Sequence, residues 1–297
     1  TAGTGPWEDF TTSPKERWTP VAAPDQDDAI LDPEKMPVRV RKVDTSSYAE
    51  TTLDLGAWHY WRLGDSTDNN TAADHAGHSL GTYTNSPTRG VTGLVTGDTD
   101  TATTFDGTND YVAITTWQAI GDCEAITVEM ILSHTNAVIG ERCAFHMRQT
   151  NDLYVTVNKT AVNRITVYAG GGEYRCDVTG LNAGTKKHVV VVATATSVRV
   201  EVNGVAQTVT TVTPATGNPG IAAVDIPYTI NIGRRIDASM YFEGTIDEVA
   251  VYPFGFSAAT ATSTSLAAWR YAQSNGTTTS LWAVEQGEYA PRTTGNS

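Results

Sequence analysis

Cysteine is scarce in this sequence of 297 residues, which contains only Cys123, Cys143 and Cys176. No two of them form a Cys-x-x-Cys pair, and an odd number of cysteines cannot pair completely into disulfides. A disulfide framework or a cysteine-based zinc site is therefore not expected to hold the fold together. At most one bridge can form, and we expect buried free thiols instead.

Basic side chains are also few. The sequence has 20 Lys and Arg residues against 33 Asp and Glu residues, which gives a formal net charge of -13 at pH 7. Surfaces that bind nucleic acid or anionic lipid need clustered Lys and Arg, so this charge balance argues against both. The sequence also lacks an apolar run near the roughly 18 residues that a membrane-spanning helix requires. We therefore expect that this protein is not an integral membrane protein.

Proline is unevenly distributed along the chain. Half of the 12 prolines fall within the first 37 residues, together with clusters of acidic side chains. Such a segment has too little apolar surface to form a core of its own. It nevertheless contains Trp7, Phe10 and Trp18, which can anchor an extended arm on a partner subunit. We predict an N-terminal arm over residues 1–52; a disordered or self-docked tail is the alternative.

From residue 53 onward, short runs rich in Val, Ile, Thr and Tyr recur between Gly, Asn, Asp and Pro residues. Several runs alternate apolar and polar residues with period two, which is typical of half-buried β-strands. The clearest runs cover residues 126–132, 153–157, 164–168, 188–192, 197–202 and 228–232. The Asn203-Gly204 pair after the fifth run predicts a tight type I′ hairpin, because both turn positions need positive φ.

One helix is predicted late in the chain, where Ser257 can cap a run that continues through Trp269. Strands and helices do not alternate as they would in a parallel α/β protein. The pattern therefore predicts an all-β protein built as an antiparallel two-sheet sandwich.

Five segments match a known family in the expected order. The first reads WHYWRLGD and the third reads TFDGTNDYV, and the full set is Trp58–Asp65, Ala72–Tyr83, Thr104–Val112, Lys187–Gly204 and Phe242–Tyr252. The sequence resembles the laminin-G-like or concanavalin A-like jelly rolls, especially those in phage tail proteins and the lectin modules of bacterial surface enzymes. This resemblance implies a jelly roll over residues 53–273 with an extended N-terminal arm, a short C-terminal helix and a tail of residues 274–297.

An enzyme of this fold would most plausibly be a glycoside hydrolase, which needs two carboxyl groups converging on one bond. Glu129 and Glu201 each stand alone in their strands. Asp247 and Glu248 are adjacent, and a regular strand sends adjacent side chains to opposite faces. We therefore predict no catalytic residues and a protein that is not an enzyme.

The family resemblance implies a calcium ion in some members, near the loop from Asp65 to Asp74 and the closing strand. It nominates Asp74 and Asp247 as metal ligands. The stretch from Asp65 to Asp74 is rich in the oxygen atoms that calcium prefers. In the alternative interpretation, Asp74 caps a turn and Asp247 accepts backbone N–H bonds.

Trp117 and Tyr174 are the candidates for carbohydrate binding, because flat rings suit sugar faces and loops carry variation. Core packing is the alternative for Trp117. The resemblance and the composition together predict a non-enzymatic phage virion protein of the tail or capsid. Its arm would bind other virion subunits in an oligomeric assembly, and its jelly roll would bind host-surface carbohydrate. One alternative is a secreted or cell-surface protein, either a polysaccharide-acting enzyme or its carbohydrate-binding module; another is a purely structural assembly protein.

Overall fold

The computed structural model of the protein describes residues 40–42, 47–115, 123, 125–148, 152–216, 228–259, 265–277 and 282–284. The chain divides into two compact units. One unit comprises Ser46–Thr279, and the other combines Thr1–Thr45 with Ser280–Ser297. In the part of the second unit that is described, β1 (Val40–Lys42) and β19 (Trp282–Val284) pair as an antiparallel ribbon. Trp7, Phe10 and Trp18 lie outside the described residues, so the partner-binding arm stays a prediction.

Two antiparallel sheets build the larger unit within the described ranges. Sheet I contains, in spatial order, β16 (Thr210–Thr213), β12 (Gly172–Asp177), β11 (Arg164–Ala169), β10 (Asp152–Val157), β9 (Arg142–Arg148), β17 (Thr229–Ile232), β7 (Tyr111–Thr115), β4 (Gly81–Thr84) and β3 (Thr71–Ala72). Sheet II contains β15 (Val205–Ala206), β14 (Val198–Val202), β13 (Lys187–Thr194), β8 (Ala125–Ser133), β18 (Glu243–Tyr252), β6 (Thr101–Asp106) and β5 (Thr88–Thr92), with β2 (His59–Trp61) paired to β18. The predicted all-β sandwich is confirmed.

Alternate residues of both sheets form one hydrophobic core. Val128 and Met130 of β8 and Val155 and Val167 of sheet I are completely buried in it. The six runs that the sequence predicts as strands correspond to β8, β10, β11, β13, β14 and β17. Their alternation succeeds as a signal because one face of each strand packs on the core and the other does not.

The predicted hairpin is also confirmed. Asn203 and Gly204 have φ values of 52° and 72°, and they connect β14 to β15. A Cβ atom on Gly204 would lie 2.5 Å from Cα of Ala268. Glycine is therefore required here both by the turn and by the close approach of a helix. Cys143 and Cys176 are buried free thiols, as expected.

Two helices occur in the described ranges, and both differ from the sequence-based expectation. The later helix, α2 (Leu266–Ser274), begins after Ser265, whose hydroxyl accepts the N–H of Ala268 at 3.0 Å. The prediction of Ser257 as its cap is therefore wrong. No helix of the described ranges is long and apolar enough to span a membrane.

The earlier helix, α1 (Tyr48–Asp54), was not predicted. It starts with a capping box in which Ser47 and Glu50 bond each other's backbone N–H groups. Tyr48 and Thr52 are buried and bond residues of sheet II and α2. The predicted domain boundary between residues 52 and 53 therefore falls inside a helix that belongs to the jelly roll.

Candidate functional site

The side of sheet I that faces away from the core carries polar and aromatic side chains. In β10, Val155 points into the core, so its neighbours Tyr154 and Thr156 point outward. The strand register places Tyr154 directly opposite His146 of β9 and Tyr168 of β11. These positions form the floor of the candidate site.

The two tyrosine rings of this floor pack against each other, with centroids 4.1 Å apart and planes 14° from parallel. The Arg235 guanidinium lies 5.0 Å from the centroid of the Tyr154 ring. The Lys159 ammonium lies 4.5 Å from the centroid of the Tyr168 ring and bonds its hydroxyl. Because the ring faces are occupied in this way, the floor offers hydroxyls and charges to a ligand rather than a flat apolar surface.

Glu141 lies at the edge of this floor, directly before β9. Its Oε1 atom accepts the Thr156 hydroxyl at 2.9 Å. Burial raises the pKa of the Glu141 carboxyl above its ordinary value, and the nearby charge of Glu173 adds to the rise, while Lys159 and Arg235 oppose it. Glu141 forms no ion pair with any described residue, whereas Glu173 pairs with Lys159 at 3.1 Å. We name the following residues the Glu141 cluster: Glu141, Tyr154, Thr156, Lys159, Tyr168, Glu173 and Arg235.

The loop of residues 233–242 positions Arg235 over the floor. Its first residue, Gly233, donates its N–H to Ala144 O at 2.9 Å, and near its end Met240 O accepts the N–H of Cys143 at 2.7 Å. In the middle of the loop, the N–H of Ile236 donates to Nδ1 of His146 at 3.0 Å. Burial lowers the pKa of His146, so a neutral imidazole can serve as this acceptor. The loop is thus fastened to β9 at three points.

The family described as the Concanavalin A-like lectin/glucanases superfamily matches residues 106–261. This match covers more than half of the 297 residues. The chain belongs to this superfamily. The name of the superfamily joins lectins, which bind sugars, with glucanases, which cleave them. The resemblance drawn from the five sequence segments is confirmed.

Solved structures with a similar fold are distant in sequence, and no curated protein matches the chain. The sialidase of Trypanosoma rangeli in complex with the inhibitor DANA is 12% identical, with a TM-score of 0.45, and covers 67% of this chain and 31% of its own. Domain 4 of AbnA, a GH43 extracellular arabinanase from Geobacillus stearothermophilus in complex with arabinotriose, is 13% identical, with a TM-score of 0.46. The match covers 75% of this chain and 98% of the arabinanase domain. Botulinum neurotoxin type C is 10% identical, with a TM-score of 0.47, and the match covers 70% of this chain and 50% of the neurotoxin chain. This chain thus spans less than a third of the sialidase.

Asp74, which the resemblance nominated as a calcium ligand, is occupied by hydrogen-bond donors in this member of the superfamily. Its Oδ1 atom accepts the N–H groups of Tyr60 at 2.9 Å and Ala76 at 3.0 Å. Its Oδ2 atom accepts the N–H of Ser79 at 2.9 Å and lies 2.7 Å from Nδ1 of His59. A cation beside these oxygens would face N–H hydrogens, so Asp74 caps a turn and does not fit a calcium site.

Asp247, the second nominated ligand, has a different set of partners. Its Oδ2 atom accepts the N–H of Leu94 at 2.7 Å, and its Oδ1 atom is buried with no hydrogen-bond partner among the described residues. Burial and the neighbouring Glu248 raise the pKa of Asp247, which favours a neutral carboxyl. No group of three His, Cys, Asp or Glu side chains in the described ranges is arranged to hold a metal. The nominated residues therefore do not fit calcium.

Asp247 and Glu248 do not diverge as a regular strand would require. A register shift between Asp247 and Ala250 marks a β-bulge in β18, and Glu248 has a φ of 54°. Ile246 and Val249, on either side, both lie in the core, so the two acids between them both point away from it. Oε1 of Glu248 accepts Nε of Arg62 at 3.1 Å. The prediction of opposite faces is wrong because of this bulge.

Glu129 is also not isolated. It is completely buried on the outer side of sheet II, and its carboxylate accepts Tyr48 Oη at 2.8 Å, Tyr252 Oη at 2.7 Å and Arg270 Nε at 2.9 Å. It also lies 2.7 Å from Nε2 of His188. Burial acts to raise the pKa of Glu129, but Arg270 and His188 hold it well below its ordinary range. Glu129 therefore has a structural role, because its hydrogen bonds connect α1 and α2 to sheet II.

Glu201, the other acid predicted to stand alone, has a similar anchoring role. Its Oε2 atom accepts the hydroxyl of Ser265 at 2.6 Å. The side chain is buried, and Ser265 caps α2. Glu201 therefore fixes the start of this helix on sheet II and is not part of the candidate site.

Of the two aromatic candidates for sugar binding, the structure describes only Tyr174. Tyr174 is 3% exposed and belongs to the core, where its hydroxyl accepts the N–H of Ala215 at 3.2 Å. The expectation that it is an exposed loop residue is wrong, because the alternation of β12 turns Glu173 and Arg175 outward instead. Trp117 lies outside the described residues, so its role stays a prediction.

The sequence-based interpretation missed the members of the Glu141 cluster. The alternation within residues 153–157 and 164–168 was enough to place Tyr154 and Tyr168 on the outward face. Glu141, Lys159 and Arg235 lie in connections, which carry no periodic signal. Only the strand pairing brings them to the same floor.

Proposed function

We propose that this chain is a non-enzymatic carbohydrate-binding jelly roll displayed on a phage virion, and that it holds a host-surface glycan at the Glu141 cluster. The Glu141 cluster is the observation that carries the carbohydrate part of this proposal. It collects an unpaired carboxyl, two tyrosine hydroxyls, an ammonium and a guanidinium on one face of a lectin/glucanase-like jelly roll.

These groups suit a sugar because hydroxyl-rich ligands are bound by fixed donors and acceptors. A carboxylate accepts up to about four hydrogen bonds, and a guanidinium donates in a planar fork. Two buried polar atoms of this face, Nε of Arg235 and Oγ1 of Thr166, have no partner in the described structure. Because an unpaired buried polar atom is costly, a ligand hydroxyl or a water that satisfies them stabilises the complex.

The virion part of the proposal is supported by composition. The segment before the jelly roll is rich in proline and acidic residues and contains Trp7, Phe10 and Trp18. Such a segment can wrap a partner subunit with aromatic side chains as anchors. The jelly roll would then be held on the particle with its loops and sheet faces available to a host surface.

Replacing Glu141 with Gln is expected to weaken glycan binding by about tenfold, because a charged acceptor forms stronger hydrogen bonds than a neutral one. A glycan array first identifies a bound sugar, and calorimetry then compares the dissociation constants. Asp177→Asn is the matched control, because Asp177 is an exposed acid on the same sheet. We expect the control to bind like the wild type, and both variants to melt near the wild-type temperature.

A specific observation supports the rival function, a polysaccharide-cleaving enzyme. Burial raises the pKa of the Glu141 carboxyl, which shares this floor with the carboxylate of Glu173, and a glycoside hydrolase uses an acid of raised pKa together with a second carboxyl group. A reducing-end assay on host-wall polysaccharides separates the two functions. Turnover by the wild type that Glu141→Gln abolishes would establish the enzyme, whereas binding without turnover supports the lectin.

Removing the N-terminal segment is expected to abolish attachment without unfolding the jelly roll. A chain that begins at Ser46, where the larger unit begins, should melt within a few degrees of the full chain and be absent from purified particles. A chain that begins at Leu53 also loses Tyr48 and Thr52, and its free energy of unfolding should fall by about 3 kcal/mol or more. Thermal melting and antibody detection on particles measure both effects. Particles that still carry the Ser46 chain would refute attachment through the arm.

A further inference from the structure

Three large apolar side chains lie exposed in the two segments that also carry Glu141 and Lys159. Val138 is 65% exposed and Ile139 is 61% exposed, both in the loop between β8 and β9. Val162, in the turn between β10 and β11, is 39% exposed. We name these three residues the apolar lip. Single exposed apolar residues are common on protein surfaces, but a group beside a polar site marks a contact surface.

Asn158 fixes the two segments that carry the apolar lip. Its side chain is completely buried, and Nδ2 donates to Asn136 O at 2.7 Å. Its backbone O accepts the N–H of Gly140 at 3.1 Å, and its Oδ1 atom accepts the N–H of Asn163 at 3.0 Å. One buried amide thus ties the loop to the turn. The lip is held in place before any ligand arrives, which reduces the entropy lost on binding.

The apolar lip and the Glu141 cluster share two segments of the chain, the β8–β9 loop and the β10–β11 turn. Gly140 separates Ile139 from Glu141, whose carboxyl reaches Thr156 on the floor. In the other segment, Lys159 stands three residues before Val162 and reaches Tyr168 and Glu173. A ligand seated on the polar floor therefore reaches the lip at the end where β9 begins and β10 ends.

We infer that the preferred ligand is a saccharide that carries an apolar acyl substituent, with its hydroxyls on the Glu141 cluster and its acyl group on the apolar lip. This inference rests on the proposed glycan-binding function. A saccharide that bears hydroxyls alone would leave Val138 and Ile139 in water. An acetyl or longer acyl group covers them, and removing apolar surface from water stabilises the complex.

A matched pair of glycans tests this inference. The array carries O-acetylated or N-acetylated oligosaccharides beside their deacetylated forms, and calorimetry on the full chain measures both members of a bound pair. The wild type should bind the acetylated member about tenfold more tightly. The V138S/I139S variant should lose this preference and bind the deacetylated member with unchanged affinity. Leu80→Ser is the matched control, because Leu80 is 66% exposed in another loop, and it should keep the preference.

Each outcome decides the inference. A wild type that binds glycans equally well in both forms, or a V138S/I139S variant that keeps the preference, overturns the acyl contact and leaves glycan binding intact. A wild type that binds no glycan refutes the proposed function and the inference with it. Sedimentation of the same proteins tests the competing explanation, in which a second copy of the chain covers the apolar lip. If V138S/I139S converts an oligomer to a monomer, the apolar lip is an interface between copies and the inference is wrong.

Discussion

Replacing Arg270 with Met is expected to lower the free energy of unfolding by about 3–5 kcal/mol, the largest single effect we predict. Arg270 and Glu129 are both completely buried, with Nε and Oε1 2.9 Å apart. The guanidinium also donates to Tyr48 O at 3.2 Å and to the Thr52 hydroxyl. Without it, the Glu129 carboxylate stays buried with no arginine to balance its charge, and both α1 contacts are lost.

Urea denaturation, followed by tryptophan fluorescence, measures this loss. The E129Q/R270M double variant should recover part of it, because it removes the buried charge together with its partner. Arg164→Met is the matched control, since Arg164 pairs with Asp177 at 2.7 Å on the surface and exposed pairs contribute at most about 1 kcal/mol. Equal small losses for R270M and R164M would contradict a structural role for the buried pair.

Replacing Asp247 with Asn is expected to stabilise the protein at neutral pH and to change little at acid pH. The pKa of Asp247 is raised in the folded protein by burial first and by Glu248 second. A carboxyl with a raised folded pKa stabilises the protein fully below its unfolded pKa, and this stabilisation is lost as pH rises through the folded pKa. The asparagine cannot ionise and keeps an acceptor for the N–H of Leu94, so the variant escapes this loss. We expect a gain on the order of 2 kcal/mol near pH 8.

Glu248→Gln is the matched comparison, and its gain at neutral pH should be smaller. Burial also raises the pKa of Glu248, to about 7, but its Oε1 atom lies 3.0 Å from the guanidinium of Arg62, so removing this carboxylate breaks an ion pair as well as relieving a buried charge. Urea denaturation at several pH values compares the two variants. If D247N is less stable than the wild type at neutral pH, and calcium stabilises only the wild type, then Asp247 is an ionised metal ligand after all.

The strands could be predicted because their signal is local. In Leu153–Val157 and Arg164–Ala169, the alternation of apolar and polar residues reports which face is buried, whatever the strand pairs with. The hairpin at Asn203-Gly204 was predicted for the same reason, since positive φ at two adjacent positions restricts the residue types. The family resemblance extended these local signals to the order of the strands.

The candidate site could not be predicted in the same way, because its members come from different connections. Glu141 precedes β9, Lys159 follows β10 and Arg235 follows β17. The sequence-based predictions for the acidic residues of the strands were wrong for a related reason. Glu129 is paired because α2 places Arg270 against it. Asp247 and Glu248 point to the same side because of the β-bulge in β18.

The sequence by itself determined the class of fold, the positions of the main strands and the acidic, proline-rich character of the N-terminal segment. Each of these depends on residues that are neighbours in the chain, where periodicity and composition act directly. The tertiary structure alone decided which charges are paired, that Asp74 is occupied by N–H groups, and that Tyr174 is buried while Glu141 stands unpaired at the floor of sheet I. Charge and burial depend on groups brought together from distant parts of the chain, and pairing between strands, which creates those contacts, leaves no periodic signal in the loops.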